Sequence, residues 1–227
     1  MSPGSARPGK LYARRRGRLT RGQALALEQH ADRFLLHPEQ EPPDWVEVFG
    51  TEAPLVLEIG FGMGDALLNF ARVHPQQHVI GVELYRPGLG AVLHQAAREQ
   101  LSNIRLLEGD ARELLETAFH PRQLHQINIF FPDPWPKRKH LKRRLIDADF
   151  ARLLASRLES GGVVNLATDW EPYAEWMFNV LEGEPALRNR QPDGGFAARC
   201  ADRPITKFEA RGQRLGHGVW DLSYVAV

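Results

Sequence analysis

Eight residues, EIGFGMGD from Glu58 to Asp65, set an acid beside three glycines, Gly60, Gly62 and Gly64. Glycine lets a backbone turn sharply and approach a ligand closely. The spacing is G-x-G-x-G, whereas a dinucleotide fingerprint places its third glycine one residue later, to pack a helix behind a pyrophosphate. A carboxylate at Glu58 repels phosphate and suits a cationic ligand, so the spacing and the acid together disfavour NAD-type oxidoreduction. Two more acids extend the pattern. Glu83 follows Gly60 by 23 residues, where open α/β folds present a carboxylate to ribose hydroxyls. Asp110 closes the next apolar run, in EGDA. Three acids ending three successive strands would share the rim at which such sheets bind ligands.

A second group lies further along. FFPDPWPK (Phe130 to Lys137) alternates Pro132, Pro134 and Pro136 around Asp133 and Trp135. Three alternating prolines exclude a helix and predict a stiff, extended loop. A stiff loop that holds the Asp133 carboxylate and the Trp135 ring at the rim suits a planar substrate, with Trp135 stacking on a base. KRKHLKRR follows at once (Lys137 to Arg144), with six basic residues and no acid. Residues 1–33 carry eight Lys and Arg against Glu28 and Asp32, although the whole chain has a net charge of only +1. Positive charge is therefore concentrated in two places on an acidic body, the footprint of a polyanion partner. Asp169 in ATDW and Glu209 in TKFE are two candidates to read guanine, because a carboxylate accepts both N1–H and the exocyclic amine.

These residues need a frame, and the chain supplies one. LVLEIG (55–60), HVIGVEL (78–84), IRLLEGD (104–110), QINIFFP (126–132) and VVNLATD (163–169) read as buried strands. Helical patterns separate them at 65–74, 87–100, 111–119 and 143–160, and another covers 171–183. Asp65 is read as an N-cap. Strand–helix alternation with short connections predicts a Rossmann-like α/β sheet covered on both faces. Residues 218–227 alternate like a final strand. Residues 1–54 read as a basic, partly disordered arm, with a short helix at 22–36 and a proline-rich linker at 37–45. Residues 55–227 form the main domain.

The chain has 227 residues, of which 43% are hydrophobic and 25% charged, which excludes wholesale disorder. Its one cysteine, Cys200, cannot form an internal disulfide. No apolar run reaches membrane-spanning length, and the N-terminus lacks the apolar stretch of a secretory signal, so a cytoplasmic protein is expected. His74 and His78 are interrupted by Pro75, and no metal site is expected.

Taken together, GRLTRGQALALEQH, EIGFGMG, GVELYRPG, GDA, FFPDPWPKRKHLKRR, ATDWEPYAEWM and RPITKFEARGQRLGHGVWDL resemble the bacterial tRNA (guanine-N7)-methyltransferase family. The likeness covers nearly the whole chain. It implies a seven-stranded class I methyltransferase sheet with an antiparallel last strand, the cofactor S-adenosyl-L-methionine (product S-adenosyl-L-homocysteine), and methylation of guanine 46 in the variable loop of tRNA. It also implies that Glu58, Gly60, Gly62, Gly64, Glu83, Asp110 and Asp133 bind cofactor, with Asp133 catalytic. Lys137, Asp169, Thr206, Lys207, Phe208 and Glu209 would contact substrate. Lys139, His140, Leu141, Lys142, Arg143 and Arg144 would contact RNA. Two other readings stay open from the residues: a methyltransferase acting on something other than RNA, and an RNA-binding module with a vestigial pocket. Monomer and homodimer are both compatible with the sequence.

Overall fold

The computed structural model describes residues 17–38, 41–201, 203–205 and 218–227. Helix α1 (Arg21–Phe34) leads into a two-residue strand β1 (Leu35–Leu36) and a short helix α2 (Trp45–Phe49). Four strand–helix units follow: β2 (Leu55–Ile59) with α3 (Asp65–Val73), β3 (His78–Glu83) with α4 (Arg86–Arg98), β4 (Ile104–Glu108) with α5 (Ala111–Thr117), and β5 (Leu124–Phe130) with α6 (Ala148–Arg157). A 3-10 helix at Arg138–Arg143 stands between β5 and α6. The remainder is β6 (Leu158–Thr168), α7 (Glu171–Glu182), β7 (Leu187–Asn189) and β8 (Trp220–Ala226).

The sheet runs β1-β4-β3-β2-β5-β6-β8-β7. Pairing is parallel from β1 to β6, and β8 is antiparallel to both neighbours. The expected seven strands with an antiparallel last one are present. The eighth, β1, adds an edge that its two-residue length hid from the hydrophobic pattern.

Alternation along the strands sorts two cores. Leu57, Ile80, Ile127 and Val164 face one side, where α2, α5, α6 and α7 cover them. Val56, Val79 and Ile104 face the other, under α1, α3 and α4. That second cover stops at β2. Beyond it, the same face carries a polar row in register, Glu58–Asn128–Asn165–Ser223. Asn165 donates to Asn128 at 3.2 Å, and Ser223 donates to Asn165 at 2.8 Å.

Several local expectations change. The N-cap of α3 is Gly64, in a left-handed conformation, and Asp65 is the first helical residue. The span 143–160 is not one helix: α6 starts at Ala148 under an Asp147 cap, and β6 already begins at Leu158. Leu145 and Ile146 are buried between the 3-10 turn and α6, which gave the stretch its misleading helical pattern. The linker ends in α2, capped by Asp44, with Trp45 buried and stacked on Phe119 at 5.4 Å. Helix α1 carries a Thr20–Gln23 capping box and packs on α4. Gly90 makes that packing possible, because a Cβ there would lie 2.8 Å from the Gln23 carbonyl oxygen.

Candidate active site

The carboxyl ends of β2, β3 and β4 bring Glu58, Glu83 and Asp110 to one rim. Glu58 is only 4% exposed, flanked in register by Gly81 and Asn128. Burial, then the neighbouring Glu83, pushes its carboxyl up to about 8. At neutral pH it is mostly protonated, and a cation placed beside it would draw the proton off.

Glu83 shapes the glycine loop. One oxygen accepts the Gly62 N–H at 2.8 Å, and the other accepts Leu84 N–H at 2.7 Å and Tyr85 N–H at 3.0 Å. Gly60 and Gly62 have positive φ, and a Cβ on either would meet nothing within 4 Å. The loop therefore presents bare backbone to open space. Its rear leans on α4, where a Cβ on Gly88 would lie 1.8 Å from the Gly62 oxygen. Gly88 is thus a contact requirement of the loop. Asp110 does not end β4, as the pattern suggested. It caps α5, accepting from Arg112 N–H at 2.9 Å and Glu113 N–H at 3.3 Å.

Across the rim, Asp133 is exposed on the loop after β5, and Asp169 is exposed after β6. The proline loop is not uniformly extended. Phe131 and Trp135 have φ of 54° and 43°, the left-handed region that bulky residues rarely enter. Such conformations persist where surrounding contacts hold them. The Trp135 Nε1 is buried without a hydrogen-bond partner among the described residues. Its ring lies 5.1 Å beneath the Arg143 guanidinium and 5.7 Å from the His140 ring. The expected stacking platform thus already carries a cation on one face.

The basic run divides. Lys137, Lys139, Lys142 and Arg143 are exposed, while His140 and Leu141 are half-buried. Desolvation, then Arg143, Lys139 and Lys137, hold the His140 ring below its ordinary range, so it stays neutral at pH 7. Arg144 departs from the expectation: it is 6% exposed and points inward. Its Nε donates to the Pro134 carbonyl at 3.0 Å, and its guanidinium lies 4.8 Å from the Tyr173 ring and 5.0 Å from that of Trp176. Thr206, Lys207, Phe208 and Glu209 fall outside the described residues.

The sequence reading also passed over Arg203 and Asp221. They form a buried ion pair, 1% and 5% exposed, with one guanidinium nitrogen 2.9 and 3.2 Å from the two carboxylate oxygens. Arg203 sits 5.1 Å from the Phe131 ring and 5.7 Å from that of Phe130. It thereby ties the segment before Thr206 to the end of β5. The alternation of the last strand gave no signal for this, because Asp221 shares the polar phase with Ser223, opposite Leu222 and Tyr224, and its burial comes from Arg203 covering that face. Among the described residues, no group of three or more His, Cys, Asp or Glu could hold a metal, and no helix is long and apolar enough to cross a membrane.

The architecture is shared with known methyltransferases. The aminoglycoside resistance methyltransferase NpmB1 superposes with a TM-score of 0.58 at 16% identity, over 83% of this chain and 95% of that one. The 16S rRNA methyltransferase KamB gives 0.57 at 17%, over 83% and 96%. At these identities the likeness concerns the fold alone. Sequence carries more. Residues 52–222 match the family described as "Putative methyltransferase". A tRNA (guanine-N(7)-)-methyltransferase of Pseudomonas putida F1 is 47% identical over 229 residues, 100% of this chain and 95% of the relative. One from Shewanella pealeana is 49% identical over 216 residues, 95% of this chain and 91% of the relative. A likeness of that depth over nine-tenths or more of each chain is more than a shared fold, and the chain belongs to the tRNA (guanine-N(7)-)-methyltransferase family.

Proposed function

We propose that this protein is a cytoplasmic enzyme that transfers a methyl group from S-adenosyl-L-methionine to N7 of guanine 46 in the variable loop of tRNA. The observation that carries this reading is the rim itself. A buried acid and a bare glycine loop adjoin a proline loop and a track of exposed cations.

The residues fit the cofactor. A zwitterion without phosphate suits a loop flanked by Glu58 and Glu83. Glu83 spends three acceptor positions on backbone N–H groups; a carboxylate offers about four, which leaves room for a ribose hydroxyl. Gly60, Gly62, Gly64, Asp110 and Asp133 complete the set that would hold it. When bound, the cofactor supplies a methyl group activated on a sulfonium, which the N7 lone pair takes, leaving S-adenosyl-L-homocysteine.

N7 carries no proton, so the protein need not supply a base. Its contribution is alignment, worth about 7–11 kcal/mol in favourable cases. Asp133 faces the positive charge that develops on the purine. Asp169, Lys137 and residues 206–209 hold the guanine. Lys139, Lys142 and Arg143 contact phosphates without reading sequence.

Following labelled methyl transfer into unmodified tRNA, with the product mapped, tests the proposal. Label at N7 of guanine 46 is expected. Label on an exocyclic amine or a ribose refutes the N7 assignment, and tRNA binding without transfer leaves the RNA-binding module as the better reading. Asp133→Ala should keep its fold and lose about 100–1,000-fold in turnover; full activity removes Asp133 from the mechanism.

A further inference from the structure

Arg144 ends the run KRKHLKRR, in which every other basic side chain is exposed. Yet its guanidinium lies against two aromatic rings of α7, and its Nε donates to the Pro134 carbonyl at 3.0 Å. Pro134 and Pro136 have no N–H, so the loop between them is poor in donors, and its carbonyls depend on donors from elsewhere. The same two rings fix the chain just beyond. The Trp176 Nε1–H donates to the Ile146 carbonyl at 2.7 Å, and the Ile146 N–H donates to the Tyr173 hydroxyl at 3.4 Å. The stretch from Pro134 to Ile146 is thus fastened to α7 at two points, with Trp135 held in its left-handed conformation between them. Helix α7 in turn begins two residues after Asp169.

We propose that Arg144 is a positioning residue and not a phosphate contact: its guanidinium is a strut that sets the loop bearing Asp133 and Trp135 against the α7 end of the rim. A planar fork can lie over aromatic rings while an N–H in its plane donates to a carbonyl; an ammonium keeps the charge without the plane. The loop then stands at a fixed distance from Asp169 before substrate arrives. The cations left for RNA in this run are Lys137, Arg138, Lys139, Lys142 and Arg143.

The proposal rests on the methyl-transfer reading above, and the test separates the two. Arg144→Lys and Arg144→Met are compared with Arg143→Ala, an exposed neighbour. Turnover at saturating tRNA, tRNA affinity against salt, and hydrogen exchange of peptides spanning residues 131–142 are measured on each folded variant. Arg144→Lys should lose about 10–100-fold in turnover, the size expected of a misplaced group. Its tRNA affinity should stay within about twofold and its salt slope unchanged, while the loop peptides exchange faster. Arg143→Ala should instead weaken binding and reduce the salt slope by about one. If Arg144→Met does not fold, Trp176→Leu removes one ring with the arginine intact, and it should show the same turnover-specific loss. Wild-type turnover in Arg144→Lys or Trp176→Leu overturns the strut. So does a fall in tRNA affinity and salt slope with turnover preserved. The exchange result needs no activity, so it decides the strut even if wild-type methylation proves to lie elsewhere.

Discussion

On the β2–β3–β4 side of the rim, one carboxylate gathers backbone N–H groups: Glu83 binds those of Gly62, Leu84 and Tyr85. On the β5–β6–β8 side, two buried arginines do the holding, each against aromatic rings and each from a distant point in the chain. Arg144 reaches Tyr173 and Trp176; Arg203 reaches Phe131 and Asp221. The faces beneath differ in the same sense. The glycine-loop half is apolar and helix-covered on both sides, whereas the other half turns Asn165 and Ser223 toward a cavity of about 450 Å³ also lined by Gln126, Arg190 and Cys200. A carboxylate collecting N–H groups makes a small loop rigid using backbone that is already there. A buried arginine joins elements that lie far apart in the sequence, at a desolvation cost that only its partners offset. The first arrangement suits a cofactor of constant shape. The second suits a site that must also admit a large polyanion along its edge.

The sharpest way to break this comparison is at Arg203 and Asp221. Asp221→Asn breaks a buried ion pair and should cost about 3–5 kcal/mol in denaturant unfolding. Replacing both residues with apolar ones of similar size should recover much of that. A single variant within about 0.5 kcal/mol of wild type would remove the pair from the framework. On the other half, Glu83→Gln keeps the shape but turns one oxygen into a donor facing N–H groups. The expected loss is about 1–3 kcal/mol, with weaker cofactor binding by calorimetry. Unchanged cofactor affinity would show that the loop holds itself.

Glu58 sharpens the contrast through pH. Its carboxyl ionises near 4.5 when unfolded and near 8 when folded, so the folded state binds the extra proton between those values. Stability therefore falls as pH rises through that window. A cationic cofactor works the other way: its affinity should rise roughly 5–10-fold from pH 7 to pH 8.5, and binding should release a proton. Calorimetry in two buffers of different ionisation heat measures the release, and identical heats would count against it. Glu58→Gln should flatten the profile. The smallest effect is expected at Lys142→Ala, a uniform loss of tRNA affinity with a salt slope lower by about one and no change in turnover.

Much of the glycine-loop half was legible in the residues. Its apolar runs are short and bounded, and its acids stand at or just beyond the strand ends, so the strand ends mark the candidate site. What the residues did not disclose there was local hydrogen bonding, such as Asp110 serving as a helix cap. The other half was read less well for a physical reason. In KRKHLKRR all six basic residues look alike, and nothing in their spacing distinguishes the one that turns inward. Burial of Arg144 depends on Tyr173 and Trp176, some thirty residues later, and burial of Arg203 on Asp221 across the sheet. Leu145 and Ile146 misled similarly, since apolar residues that are buried beside a helix carry the same period as those within it.

Composition, periodicity and the motif residues were enough to specify an α/β sheet, a rim that carries acids and a cationic surface, because each depends on residue type and local spacing. Which cation faces solvent, which acid caps a helix and which glycine receives a neighbouring backbone were decided only when strands and helices packed. Those outcomes depend on desolvation and on partners from remote segments, and neither is written in the order of nearby residues.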